Sequence, residues 1–329
     1  MFFEKEVMMS SIRYFLFCII LFSFPSITSA AQPAKSEKIS HVIYVTLDGV
    51  RWQDIFLDSH PYFNKFWEKH ANSLTIYGAP DSHTTMETAS VPVSLPSYHT
   101  QLSGVVSPCT DNDCGRINIE TFPENILFKL KLAKKDVATF ASWDSIGLAA
   151  EHIPGTTLVN EGNIPMEDPV SHRPDDVMRD INHQQEVDSV PGSSDRYDRY
   201  TYAQAIHYFQ KYQPTFMWVS LDDADSAAHD RDIDAYHKAI DFYDYAIDNL
   251  FLTLKLMCLD KNTLVIITAD HGRGNGEHWN SHGVKYPESK QTWAFVMNGE
   301  LKLISEEGDV KHFNTLSIRP TIERALGVG

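Results

Sequence analysis

The sequence predicts an α/β protein whose central sheet is doubly wound and mostly parallel, with helices on both faces. Several runs of strand length are apolar at nearly every position, which is typical of strands that are buried on both faces. Amphipathic helical patterns separate these runs, and strands that alternate with helices favour a parallel sheet.

Five runs rich in β-branched and aromatic residues are expected to form strands. They are 41–47, 137–141, 215–221, 263–268 and 292–297. Helices are predicted for 201–212 and 316–326. The clearest helical pattern places large apolar side chains on one face, namely Ile233, Tyr236, Ile240, Tyr243, Ile247, Leu250 and Leu254.

Residues 1–31 are expected to be a secretory signal peptide. Arg13 precedes an apolar run at 14–24, and small residues follow at 29–31, which is the order found in such leaders. The apolar run is shorter than the roughly 20 residues that span a bilayer. An uncleaved N-terminal anchor stays open as the alternative. We therefore expect an exported protein, periplasmic or secreted, without a membrane span in the mature chain.

Residues 32–329 are expected to form one catalytic domain. Around 150–200, prolines are interspersed with charged and polar residues. Because strands are predicted on both sides of this stretch, we expect an irregular cap or insertion over the site rather than a linker.

The formal net charge of -16 disfavours binding to polymeric nucleic acid or to anionic membrane surfaces, since both require a basic patch. It leaves open a small anionic substrate that local cations hold. Cys109 and Cys114 are close together in a polar stretch, and we expect them to form a disulfide, which export permits. Cys258 lies in an apolar helical pattern and is expected to be a buried free thiol.

Aspartate and histidine follow three of the predicted strands. Asp48 follows the first, and Asp270 with His271 follows the fourth. Asp225 and His229 are four residues apart, so on a helix they share a face and both reach one ion. Because ligands bind at the carboxyl ends of parallel strands, these residues are candidate metal ligands, and His282 further along the chain joins them.

Ser94 stands at a predicted helix start, Ser94-Leu95-Pro96. An ordinary helix cap explains a serine there. A nucleophile uses the same geometry, because a helix N-terminus stabilises a bound anion. Ser97, Ser90 and Thr88 are nearby alternatives for the nucleophile.

The order strand-Asp, Ser-x-Pro, Asp-x-x-x-His, Asp-His-Gly and His-Gly resembles the alkaline phosphatase superfamily, and within it the type I phosphodiesterase/nucleotide pyrophosphatase group. The resemblance covers roughly 41–327, with 150–200 unmatched. Ala224 and Ala228 depart from the proline and glycine that are usual before the Asp and His of the third motif.

The resemblance implies an alkaline phosphatase-like fold and two metal sites. One metal would be bound by Asp225, His229 and His282. The other would be bound by Asp48, Asp270, His271 and the oxygen of Ser94. Ser94 would be the nucleophile, and Asn118 would match an asparagine that stabilises the transition state.

The ligand types themselves favour zinc. Three imidazoles with three carboxylates suit zinc, with manganese or iron as alternatives, better than calcium, which prefers oxygen ligands alone. Two divalent cations would also make the site locally positive inside an acidic protein.

The predicted function is hydrolysis of a small phosphate ester, such as a nucleotide or another diester, through a phosphoseryl intermediate. A phosphomonoesterase is the alternative within the superfamily, and a non-catalytic binding protein that retains the fold is the alternative of another class. Sulfatases are disfavoured because they keep an arginine two residues after the proline of the nucleophile motif, where this chain has Tyr98.

Overall fold

A computed structural model of the chain describes residues 38–57, 65–297, 302–305 and 310–329. The predicted signal peptide, 1–31, lies outside the described residues. Residues from Glu37 to Gly329 form one compact unit. In the described part of the chain, no helix combines the length and the apolar character needed to cross a bilayer.

The described strands are β1 (His41–Leu47), β2 (Leu74–Tyr77), β3 (Thr85–Glu87), β4 (Val137–Ala141), β5 (Leu158–Glu161), β6 (Phe216–Leu221), β7 (Thr263–Thr268), β8 (Ala294–Met297) and β9 (His312–Asn314). The described α-helices are α1 (Trp52–Phe56), α2 (Phe66–Lys69), α3 (Ser94–Ser103), α4 (Phe122–Leu130), α5 (Gly147–Ala150), α6 (Asp176–Val187), α7 (Asp198–Tyr212), α8 (Asp223–His229), α9 (Ile233–Leu256) and α10 (Ile318–Leu326).

Seven strands form the central sheet in the order β2-β8-β7-β1-β6-β4-β5, and β3 pairs with β9 in a second, small sheet. In the central sheet β8 runs antiparallel to both of its neighbours, and the other described pairs are parallel. The α/β prediction is therefore confirmed. All five predicted strands form, with the last one shorter than expected.

Helices cover both faces of this sheet, as the doubly wound class requires. Alternate residues of β1 point to opposite faces: Ile43 and Val45 pack with α7, α8 and α9, whereas Val42 and Tyr44 pack with α3, α4 and α10. The apolar face predicted for α9 is buried from Tyr236 to Leu254, and Ile233 at its start is exposed.

The prediction of an irregular segment at 150–200 is wrong in part. This stretch contains β5, which pairs with β4 at the edge of the sheet, and the twelve-residue helix α6. The sequence hid α6 because only Met178 and Gln185 are buried along it. Its other apolar residues, Val177, Ile181 and Val187, are partly or fully exposed, so no continuous buried apolar stripe marks the helix.

The two predictions about cysteine had different outcomes. Cys109 and Cys114 form a disulfide, as expected. Cys258 is exposed rather than buried, because α9 ends at Leu256 and the chain turns outward through a residue with a left-handed backbone, φ 58° at Cys258.

Arg196 fastens the insertion to the central sheet. Its guanidinium donates to Asn160 Oδ1 on β5 at 2.7 Å, to Gln204 Oε1 on α7 at 2.7 Å, and to the carbonyl oxygen of Ala141 on β4 at 2.8 Å. Arg196 is 2% exposed. Burial lowers its pKa to about 9, so the side chain remains cationic at neutral pH and holds three elements through one group.

Replacing Arg196 with methionine keeps the apolar stem but leaves these buried acceptors without donors. We expect Arg196→Met to lower the free energy of unfolding by about 3 kcal/mol, measured by urea denaturation. The matched control is Arg179→Met on α6, whose side chain is 59% exposed and should change stability by less than about 0.5 kcal/mol. Equal effects of the two substitutions would contradict this role for Arg196.

Candidate metal centre

The register of the central sheet brings three strand ends to one level. Leu47 at the end of β1 lies opposite Leu221 of β6, and Thr46 lies opposite Thr268 of β7. The residues that follow these ends therefore emerge side by side, and the backbone N–H of Asp48 still donates to Leu221 at 2.9 Å. The carboxyl edge of the sheet thus collects Asp48, Asp222 and Asp270.

Asp48 and Asp270 are buried, Asp222 is partly buried, and the three carboxylates are crowded. One ligand atom each from Asp48, Asp222 and Asp225 lie within 4.8 Å of one another, and so do ligand atoms from Asp48, Asp270 and His271. Asp270 Oδ1 accepts from the backbone N–H of Gly49 at 3.0 Å. Asp270 Oδ2 is buried and has no hydrogen-bond partner among the residues that the structure describes. A buried anionic oxygen without a donor requires a cation or a proton.

Two histidines present their Nε2 atoms to this cluster. His271 Nδ1 lies 2.8 Å from the carbonyl oxygen of Gly272, and His282 Nδ1 lies 2.9 Å from that of Pro92. Because a carbonyl oxygen only accepts, each Nδ1 carries the hydrogen and each Nε2 keeps its lone pair. The two rings stack with centroids 4.2 Å apart, which places the two lone pairs in the same part of the site.

His229 completes the second side of the cluster. Its Nε2 lies 3.0 Å from Asp225 Oδ2 and 3.2 Å from His282 Nε2. A third set of ligand atoms within 4.8 Å of one another comes from Asp225, His271 and His282. The structure therefore brings together all the predicted Asp and His ligands. His271 stands between the two predicted sets and contributes to close groups on both sides.

Ser94 lies inside the same cluster. Its Oγ is 3.3 Å from Asp48 Oδ1 and 3.4 Å from His271 Nε2. Ser94 is the first residue of α3, with Val93 before it in extended conformation and no side-chain cap, so the capping alternative does not describe it. The hydroxyl points toward the carboxylates instead of the helix N–H groups.

The competing hydroxyls bond to one another. Ser97 Oγ lies 3.0 Å from Thr88 Oγ1 and 3.3 Å from Ser90 Oγ. No contact described for these three hydroxyls joins them to the Asp and His cluster. Geometry therefore favours Ser94 as the hydroxyl that can react there.

Burial shifts the pKa values of the cluster so that the neutral form of each side chain is favoured. It lowers the pKa of His271 to about 4 and that of His282 to about 2, so both imidazoles are neutral and able to bind metal at neutral pH. Burial raises the pKa of Asp270 to about 6. Burial, and then the charge of Asp270, raise the pKa of Asp48. Carboxylates that resist ionisation in this way gain most from a bound cation.

Arg273 and Gly49 were not identified from the sequence. Arg273 is 1% exposed, forms a salt bridge with Asp225, and donates through Nε to Gly49 O at 3.0 Å. Gly49 has a left-handed φ of 63°, and a Cβ there would stand 2.4 Å from Asp225 Oδ1 and 2.5 Å from Arg273 Nη2. The turn after β1 therefore tolerates only glycine.

Asn118 is exposed, and no hydrogen bond described for the chain joins it to the cluster. Another asparagine, Asn112, lies next to the start of α3: its Oδ1 accepts from the backbone N–H of Leu95 at 2.9 Å. Asn112 is inside the six-residue loop closed by the Cys109–Cys114 disulfide. Asn118 was assigned from the superfamily resemblance, and this loop lies between Ser94 and Asn118 along the chain.

The donor set fits divalent cations. It contains an orphaned carboxylate oxygen on Asp270, neutral imidazoles, and more buried carboxylates than Arg273 alone can neutralise. Nitrogen with oxygen donors suits zinc and its first-row neighbours. Tyr98 and Asp222 add to this environment. The hydroxyl of Tyr98 donates to Asp48 Oδ2 at 2.9 Å, and Asp222 follows β6 at the level of Asp48, at a strand end as the sequence pattern indicates.

Solved structures with the same arrangement of strands and helices identify the fold. An alkaline phosphatase from the Antarctic bacterium TAB5 superposes with a TM-score of 0.53 at 14% identity, over 89% of this chain and 100% of that one. The chain has the alkaline phosphatase-like fold. A 2-O GAG sulfatase gives a TM-score of 0.57 at 13% identity over 89% of this chain and 71% of that one.

A third similar structure is the lipoteichoic acid synthase LtaP from Listeria monocytogenes, with a TM-score of 0.55 at 12% identity, covering 89% of this chain and 73% of that one. A family model described as the metalloenzyme superfamily matches residues 182–286, a range that includes Asp225, His229, Asp270, His271 and His282. No protein of curated function gives a significant sequence match. At these identities the structural likeness defines the fold and leaves the reaction open.

The raised carboxyl pKa values predict how metal affects stability. A carboxyl whose pKa is higher in the folded than in the unfolded chain stabilises the fold at low pH, and this contribution is lost as pH rises through the folded pKa, about 6 for Asp270. A bound cation removes that loss. We therefore expect the melting temperature of zinc-loaded protein to exceed that of chelator-treated protein by an increasing margin as pH rises from about 5 to about 8. A margin that stays constant over this range would contradict the prediction.

Gly49→Ala should lower metal binding. The new Cβ would displace Asp225 or Arg273, so we expect zinc content, measured by atomic emission, to fall well below that of the wild type. Gly192→Ala is the matched control, because Gly192 also has a left-handed φ of 72° but a Cβ there would meet no atom within 4 Å. Both substitutions carry a backbone cost of about 1 kcal/mol, and only the first should lose zinc. Equal zinc contents would refute the steric argument.

Proposed function

We propose that this protein is an exported two-metal hydrolase of phosphoric esters, of the phosphodiesterase or nucleotide pyrophosphatase type, with Ser94 as its nucleophile. The observation that carries the proposal is the position of Ser94 Oγ, within 3.4 Å of both Asp48 and His271, at the N-terminus of the ten-residue helix α3. A hydroxyl, an anion-stabilising helix end and a cation-demanding cluster thus meet at one point.

One metal would be held by Asp48, Asp270, His271 and Ser94, and the other by Asp225, His229 and His282. When bound, such ions lower the pKa of a coordinated hydroxyl or water and neutralise charge on phosphate oxygens. Zinc is the preferred ion on the ligand types, with manganese or iron as alternatives.

The residues of the chain supply the rest of the reaction. The proton of Ser94 Oγ passes to water as the oxygen forms a bond to phosphorus, while the bond from phosphorus to the leaving oxygen breaks and that oxygen departs with the bonding electrons. The result is a phosphoseryl intermediate, which water hydrolyses to regenerate the Ser94 hydroxyl. Asp48 Oδ1, 3.3 Å from Ser94 Oγ, orients the hydroxyl before attack.

Asn112 replaces Asn118 as the asparagine of this proposal. Its Oδ1 is held by the N–H of Leu95 at 2.9 Å, which fixes the amide plane beside Ser94 and leaves the Nδ2 group as a donor. A donor beside the nucleophile is suited to charge that develops on a phosphate oxygen.

The cations near the site favour a diester over a monoester. Arg51 is bound to Asp54 through two bonds, 2.7 Å from Nε to Oδ2 and 2.6 Å from Nη2 to Oδ1. Arg273 is bound to Asp225 and to backbone carbonyls. A monoester carries an additional negative charge at neutral pH, and neither arginine is free to meet it. The acidic chain and the proposed export suit a small soluble phosphodiester rather than a polymeric nucleic acid.

Sulfate esters are the competing substrate class, because sulfatases share the fold. At the position where sulfatases carry the nucleophile-motif arginine, this chain has Tyr98, whose hydroxyl donates to Asp48 at 2.9 Å and which is fully buried. Tyr98 therefore supports a metal ligand and supplies no cation to a sulfate. A binding protein without catalysis is disfavoured because every predicted Asp and His ligand is present and assembled.

Ser94→Ala should abolish turnover while the metals remain bound. We expect hydrolysis of bis-p-nitrophenyl phosphate to fall by about 10³-fold or more, with zinc content preserved because the Asp and His ligands are intact. Ser97→Ala, one turn along the same helix and buried in its own hydroxyl network, is the matched control and should keep activity within a few-fold. Full activity in Ser94→Ala would refute the nucleophile assignment.

The preferred ester is tested by comparing bis-p-nitrophenyl phosphate, p-nitrophenyl phosphate and p-nitrophenyl sulfate with the zinc-loaded protein. The diester should give the highest kcat/KM. A clear preference for the monoester would favour the phosphatase alternative, and a preference for the sulfate would overturn the proposed substrate class.

The two asparagines form a second matched pair. Both asparagines are exposed, and only Asn112 contacts the start of α3. Asn112→Ala should therefore lower kcat by about 10²-fold, the usual effect of removing one donor to developing charge, whereas Asn118→Ala should leave kcat nearly unchanged. The opposite ranking would restore Asn118 and contradict the geometry at Leu95.

A further inference from the structure

A buried imidazole on the nucleophile helix has a free nitrogen. His99 lies on α3 and is 6% exposed, and its Nε2 has no hydrogen-bond partner among the described residues. Burial lowers the pKa of this imidazole, so the ring is neutral at physiological pH and carries one unprotonated nitrogen. Buried polar atoms are ordinarily satisfied, and His99 is not a member of the metal cluster described above.

Two sulfurs lie near the His99 ring. A ring nitrogen of His99, Cys109 Sγ and Cys114 Sγ all lie within 4.8 Å of one another. Cys109 is buried and Cys114 is exposed, so the group has an open side toward solvent. Zinc binds thiolate sulfur at about 2.3 Å and imidazole nitrogen at about 2.0 Å. Once the disulfide is broken, the two sulfurs must move apart to bind one ion, and the Cα atoms of the two cysteines are 5.8 Å apart.

We propose that reduction of the Cys109–Cys114 disulfide converts these three residues into a third metal site, for a thiophilic divalent ion of the zinc class. A dithiol reductant gives two electrons and two protons to the disulfide and itself becomes a disulfide. Each of the two new thiols then releases one proton as its thiolate binds the metal, and His99 supplies the third ligand. The disulfide and the metal are alternative ways of closing the same loop.

The ligand chemistry separates this site from the proposed catalytic pair. Two thiolates with one imidazole form a soft donor set that selects zinc and related metals over magnesium and calcium. The catalytic cluster contains only carboxylate, imidazole and hydroxyl donors, and the two sets share no residue. The inference therefore stands whether or not the protein hydrolyses phosphate esters.

The location gives the site a connection to the nucleophile. Asn112 lies between the two cysteines in sequence and accepts from the N–H of Leu95 at 2.9 Å, and His99 follows Leu95 by one turn of α3. Reduction or oxidation of the two sulfurs therefore opens or closes the loop that contacts the start of the nucleophile helix.

Cobalt(II) is the probe, because only thiolate ligation gives a near-ultraviolet sulfur-to-cobalt charge-transfer band. The full chain would carry Cys18→Ser and Cys258→Ser, so that Cys109 and Cys114 supply the remaining cysteine sulfurs. The metal-free protein is titrated with Co²⁺ with its disulfide intact and again after reduction with a phosphine. We expect the reduced protein alone to show the band, and to bind one more Co²⁺ per chain than the oxidised protein.

Two variants assign the ligands. Cys114→Ser, at an exposed position, should fold normally and lose the band. His99→Ala should weaken Co²⁺ binding by about tenfold or more. Loss of a residue that only hydrogen-bonds to a metal ligand already costs about tenfold in affinity, so loss of a direct ligand should cost at least as much. Absence of the band from the reduced protein, or an unchanged band in Cys114→Ser, would overturn the proposal. The band is read without any turnover, so its absence would leave the proposed hydrolase function unaffected.

Discussion

The crowding of carboxylates at the carboxyl edge of the sheet is the constraint on which the site depends. Parallel pairing of β1 with β6 and β7 sets Asp48, Asp222 and Asp270 side by side, and burial makes their joint ionisation costly. Arg273 offsets part of that charge through Asp225. The orphaned oxygen of Asp270 shows where the compensation is incomplete. A divalent cation at this point satisfies both the charge and the unpaired oxygen.

Other features of the site follow from this constraint. Gly49 has no side chain because Asp225 and Arg273 occupy the space of its Cβ. The carbonyls of Gly272 and Pro92 hold the Nδ1 hydrogens of two histidines, so the imidazoles face the carboxylates with free lone pairs. Helix α3 then delivers a hydroxyl and a helix N-terminus to the edge of the cluster. The local backbone geometry thus determines which side chains face the cluster, which the fold alone does not determine.

The sequence allowed the sheet and most of the ligands to be predicted, because buried parallel strands are apolar throughout and their polar ends are conspicuous. Arg273 was not predicted because an arginine in a loop is ordinarily expected to be solvated, and its partner Asp225 is distant in the sequence. Asn118 was assigned from the superfamily resemblance, whereas in the structure Asn112, in the loop closed by the Cys109–Cys114 disulfide, contacts the backbone of Leu95 next to Ser94. Helix α6 was missed for a related reason, since it buries too few side chains to show an apolar stripe.

Calorimetric titration of the chelator-treated protein with zinc tests the central claim most directly. The account predicts two bound ions per chain, with protons released on binding near pH 6, because the carboxyl pKa of Asp270 is raised to about 6 and metal displaces the protons held there. Asp270→Asn should weaken binding at one of the two sites. A wild-type protein that binds no zinc, or an Asp270→Asn protein that binds it unchanged, would contradict the account.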